Sequence, residues 1–97
     1  MKQTLAIADI RSCVAQVAKS YDIKKVSLFG SFAEGKQTAK SDVDLLVEFH
    51  DDSVSLFTLS DIRYELENLF GRKVDLIHAP IPPDSFLIIN KEVPLYE

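Results

Sequence analysis

Cysteine is almost absent from this 97-residue chain. The single one, Cys13, cannot form an internal disulfide, and no histidine or second cysteine stands near it at zinc-ligand spacing. It reads as a small helix residue close to the core. Glycine and proline are scarce, at three and four residues, and leave no linker, repeat or low-complexity tract. Apolar runs end well short of the roughly 20 residues a membrane helix needs, so no membrane span is expected. Basic residues are outnumbered, 11 against 15 acids, giving a net charge of −4. That balance argues against direct nucleic-acid binding, which calls for a basic stripe. Met1-Lys2-Gln3 leads into a patterned segment rather than a secretion signal, so a cytoplasmic location is expected.

What is present is ordinary for a soluble domain: 46% hydrophobic and 27% charged residues. The length predicts a single domain over residues 1–97. A domain of this size buries only about 60–65% of its unfolded surface. A partner subunit or ligand would add stability that a modest core cannot.

Apolar residues Ile7, Ile10, Val14, Val17 and Tyr21 recur at three and four, predicting an amphipathic helix over residues 3–20. VSLFG, ended by Gly30, predicts a first strand. DVDLLVEF, residues 42–49, predicts a second strand buried along most of its length. Asp52 and Ser53 are N-cap candidates for a helix carrying Leu56, Leu59, Ile62, Leu66 and Leu69, which Gly71 stops. RKVDLIHA, residues 72–79, predicts a third strand that PIPP breaks. SFLIINKEV is expected to form a short closing helix before Pro94. The order is that of a small α/β (α+β) domain: a mixed sheet of three or more strands packed with two to four helices.

The chemistry sits in GSFAEGKQTAKSDVD, residues 30–44. Asp is depleted in strands, yet Asp42 and Asp44 are two apart, which puts both carboxylates on one face with Val43 opposite. Like charges side by side are unfavourable unless something positive lies between them. Hard oxygen ligands so placed suit Mg²⁺, with water and substrate phosphates completing its shell. Asp75, between Val74 and Leu76, completes the cluster if the third strand lies beside the second. Gly30 and Ser31 open a short helical stretch whose free N–H groups suit phosphate. One end of the stretch would hold phosphate and the other the metal that neutralises it.

Gly30-Ser31, ten intervening residues and Asp42-Val43-Asp44 resemble the GS-x₁₀-D-x-D signature of the DNA polymerase beta-like nucleotidyltransferase superfamily. The chain looks like its smallest version, a minimal nucleotidyltransferase (MNT) protein. That resemblance implies two Mg²⁺ ions on Asp42, Asp44 and Asp75, with Asp75 also a proton acceptor, and Gly30 and Ser31 on the β- and γ-phosphates of ATP. It further implies an antitoxin of the HEPN/MNT type, transferring AMP to a tyrosine hydroxyl of a HEPN-family RNase toxin.

The chain departs from the family pattern at Glu34, where relatives commonly carry arginine. Lys36 and Lys40 are the candidates to offset it as phosphate contacts. His50 and His78 read as turn and strand-end residues, and Lys24-Lys25 as shields of a strand start. Two other functions stay open on the sequence: a weakly catalytic antitoxin that neutralises its partner by binding, and a nucleotidyltransferase acting on RNA ends or a small molecule.

Overall fold

The computed structural model describes residues 5–38, 40–51, 54–79 and 91–97. Helix α1 (Ile7–Ala18) leads into strand β1 (Ile23–Phe29), a one-turn helix α2 (Gly30–Glu34) and strand β2 (Val43–Phe49). Helix α3 (Leu56–Phe70), strand β3 (Val74–His78) and strand β4 (Val93–Tyr96) follow. The sheet order is β3-β2-β1-β4, with β2–β3 parallel and the other two pairs antiparallel. Among the described residues, a mixed sheet of four strands with three helices matches the expected α+β class.

The core face of the sheet follows the strand pleat. Val43, Leu45, Val47 and Phe49 are buried, while Asp44, Leu46 and Glu48 between them are half-buried. β2 is thus an alternating strand, not the mostly buried one its sequence suggested. Against this face lie Ile10, Val14 and Val17 of α1 and Ile62, Leu66 and Phe70 of α3. Burial of such side chains contributes about 1.5–3 kcal/mol each.

The α3 stripe is corrected at both ends. Leu59 packs partly against the core and Phe70 fully, whereas Leu56 is 81% and Leu69 43% exposed. The helix enters its last turn on the 4-residue step, which carries Phe70 inward and Leu69 out. Ser55 is its N-cap, its hydroxyl accepting from the Thr58 N–H at 3.2 Å. Asp52 and Ser53 lie outside the described residues. Gly71 ends the helix in the left-handed region at φ 71°, as its sequence position predicts.

Most of the expected closing helix, residues 85–90, lies outside the described residues. Its end does not fit the expectation: Val93–Tyr96 is a strand on β1, with Pro94 opposite Ser27. Proline is tolerated there because β4 is the sheet edge, where a missing N–H costs no ladder bond. Lys24 and Lys25 pair with Glu48 (3.3 Å) and Glu97 (3.8 Å), consistent with shielding the start of β1. Cys13 is half-buried and packs against the core, and desolvation followed by the charge of Asp9 raises its thiol pKa.

Candidate active site

The turn from β1 into α2 and the start of β2 are brought together by strand pairing. Phe29, the last residue of β1, is opposite Asp44. The next residue, Gly30, therefore emerges beside the second aspartate. Gly30 has φ +75°, and a Cβ placed on it would lie 2.1 Å from Asp44 Oδ2. Both facts demand glycine, one through backbone conformation and the other through space. Ser31 follows on the first turn of α2, and its carbonyl accepts from the Lys36 N–H at 2.9 Å.

On the other side, the parallel β2–β3 register sets Asp44 opposite Asp75. Burial above all, then the hydrogen-bonding influence and charge of Asp75 and the charge of Asp42, push the Asp44 carboxyl from 3.8 up to about 6. Asp42, one residue ahead of β2, acts on Asp44 through its charge. The strand parity that buries Val43 turns both aspartates to the opposite face.

Among the described residues, no three histidine, cysteine or acidic side chains enclose a metal ion as they stand. The donor set still fits a hard divalent cation. It offers carboxylate oxygens from two adjacent strands, set side by side where a positive charge would relieve their repulsion. The space that Gly30 leaves against Asp44 keeps that carboxylate free of side-chain crowding.

The lysines behave differently from the acids. Lys36 Nζ lies 3.4 Å from Glu34 Oε1, so it neutralises the one acid that departs from the family pattern. Lys40 is exposed, with its backbone N–H on Thr38 Oγ1 at 3.2 Å. His50 is exposed. His78 stacks edge-on against Phe49 at 5.2 Å between ring centroids.

One residue near the site escaped sequence reading. Arg72 lies over the Phe32 ring, 5.2 Å from its centroid, and donates to the carbonyls of Ser41 (3.1 Å) and Thr38 (3.4 Å). In sequence it is a charge after a helix, and nothing local predicts partners more than thirty positions away.

The sequence profile described as "Nucleotidyltransferase domain" matches residues 9–94. The chain belongs to the nucleotidyltransferase domain family. It is therefore an enzyme of nucleotidyl transfer by family. "Putative protein adenylyltransferase MJ0128" of Methanocaldococcus jannaschii is 41% identical over 80 residues, 79% of each chain. This nucleotidyltransferase also has the fold of a chain in the MntA–HpeT toxin–antitoxin complex. There the TM-score is 0.71 at 16% identity, covering 89% of this chain and 72% of that one. It is similar again to a chain in the complex of the tri-AMPylated Shewanella oneidensis HEPN toxin with MNT antitoxin. That match has TM-score 0.66 and 14% identity, covering 93% of this chain and 71% of that one. Among the described residues no helix is long and apolar enough to cross a membrane.

Proposed function

We propose that this nucleotidyltransferase moves AMP from ATP to a tyrosine hydroxyl of a HEPN-family toxin, and so acts as its antitoxin. The observation that carries the reading is the meeting of Gly30, Asp44 and Asp75 at one point, each on a different element. The similarity to a protein adenylyltransferase supports the donor nucleotide. The likeness to an MNT antitoxin complex supports the partner.

Asp42, Asp44 and Asp75 would hold Mg²⁺, two ions on this reading. When bound, the metal supplies positive charge at the triphosphate and lowers the pKa of the attacking hydroxyl. The residues of the chain do the rest. Gly30 and Ser31 receive the β- and γ-phosphates, and the absent Cβ at Gly30 lets them approach the aspartates closely. Asp75, exposed on β3, accepts the phenolic proton. The tyrosine oxygen bonds to the α-phosphorus, the bridging P–O bond to the β-phosphate breaks, and pyrophosphate leaves.

The lysines are secondary. Lys36 keeps Glu34 from repelling the triphosphate, and Lys40, on the exposed loop, is free to meet phosphate oxygens as a point charge. An acid at Glu34 would favour a purely binding antitoxin by repelling the triphosphate, and its pairing with Lys36 at 3.4 Å weakens that objection to catalysis.

Neutralisation of the toxin distinguishes the two. Wild-type protein with ATP and Mg²⁺ should abolish the RNase activity of the HEPN toxin. Asp42→Asn/Asp44→Asn should still bind the toxin yet leave its RNase active. Silencing by the double mutant would favour binding alone.

A further inference from the structure

The site is assembled from three separate pieces: the α2 turn with Gly30 and Ser31, the 35–41 loop that delivers Asp42, and β3 with Asp75. The first two are consecutive in sequence, whereas β3 joins them only through its pairing with β2. Arg72 contacts the first two of these pieces and precedes the third in sequence. Its guanidinium plane covers the ring of Phe32, which is buried on α2. Its Nη1 reaches the Ser41 carbonyl, the residue before Asp42, and the Thr38 carbonyl at the far side of the same turn. Its own backbone lies three residues before Asp75.

The surrounding bonds make that grip stiff. The loop closes on itself, with Ser41 Oγ accepting from the Thr38 N–H at 2.8 Å and the Thr38 carbonyl from the Ser41 N–H at 3.1 Å. The next residues after Arg72 are tied as well. The Lys73 carbonyl accepts from the Val43 N–H at 2.9 Å, and the Val74 N–H donates to Glu67 Oε2 at 3.0 Å. Arg72 Nε is buried and has no partner among the described residues. A buried donor left unpaired is costly.

We propose that Arg72 is a positioning residue of the nucleotidyltransferase site. It sets the Gly30-Ser31 turn and Asp42 at their working distance from Asp75, and touches neither metal nor nucleotide. The role needs both properties of a guanidinium: a flat face to lie on Phe32 and a fork to hold carbonyls. Lysine supplies charge without either. The inference rests on the proposed metal–nucleotide reading of the site.

The test is Mn²⁺–ATP binding by the whole protein, which requires no toxin. Arg72→Met and Arg72→Lys are compared with wild type and with Ile62→Val, a core trim on α3 that lowers the melting temperature away from the site. All are measured well below their melting temperatures. Both Arg72 variants should bind Mn²⁺–ATP about 10- to 100-fold more weakly, the usual effect of losing an outer partner of a metal site. Ile62→Val should bind as wild type does. Wild-type affinity in folded Arg72→Met, or full rescue by lysine, would overturn the positioning role. Failure of the wild type itself to bind would count against the metal–nucleotide reading instead.

Discussion

Asp44 and Asp75 stand opposite each other in the register of the parallel β2–β3 pair. Burial first, and then the neighbouring Asp75 and Asp42, push the Asp44 carboxyl from 3.8 up to about 6. Below that pH the metal-free protein holds a proton where the proposed function needs a cation.

A pH dependence follows, and its sign is fixed. Folding raises the Asp44 pKa from 3.8 to about 6, so between those values the folded chain binds more protons than the unfolded one. The stabilising contribution of this group is complete below about pH 4 and is lost as pH rises through 6. Asp44→Asn lacks that dependence. Melting temperatures of the two proteins without metal should diverge in favour of the mutant as pH goes from 4 to 7. Saturating Mg²⁺ should recover stability in the wild type only. A constant gap across that range would mean that Asp44 titrates normally.

Gly30→Ala should injure stability and site together. An L-residue in the left-handed region costs about 1–2 kcal/mol, and the new Cβ must also displace the Asp44 carboxylate. Chemical denaturation should register at least the first cost, and Mn²⁺ binding should fall with it. Alanine at Gly71, where nothing lies within 4 Å of an added Cβ, should carry the conformational cost alone.

The Glu34–Lys36 pair is an exposed one, worth at most about 1 kcal/mol to stability. Lys36→Ala should therefore leave the melting temperature nearly unchanged while weakening ATP binding, because Glu34 then stands uncompensated near the phosphates. Adding Glu34→Gln should restore the affinity. If Lys36→Ala weakens binding and the second change restores nothing, Lys36 acts on phosphate directly.

Ser55→Ala removes the side-chain acceptor for the Thr58 N–H at the start of α3. The expected loss is about 1 kcal/mol, read by denaturant unfolding, with nucleotide binding unchanged because the cap is remote from Gly30 and Asp75 in sequence and element. An effect on binding would link α3 to the site.

Much of this site was legible because its chemistry sits on strict spacings. Asp42, Val43 and Asp44 obey the two-residue pleat, and the sequence alone assigned Val43 to the core and the acids to the other face. Gly30 ended an apolar run and Gly71 an apolar helix stripe, positions where local conformation decides the residue. What escaped reading depends on tertiary partners. Strand β4 contains Pro94, which argues against a strand until the sheet order places it on an edge. Leu69 and Phe70 exchanged roles because helix phase, not hydrophobicity, chooses the buried side. Ser55 was passed over for Asp52 and Ser53 because any of the three could cap, and only the first turn's exact start distinguishes them. Arg72 was invisible because its contacts with Phe32 and Ser41 cross thirty and more positions.

Intact mass of the HEPN toxin after incubation with this protein, ATP and Mg²⁺ is the most direct measurement. The account predicts that the toxin gains one or a few AMP groups on tyrosine, and gains none with Asp42→Asn/Asp44→Asn. An unmodified toxin in a stable complex with the wild-type protein would contradict it.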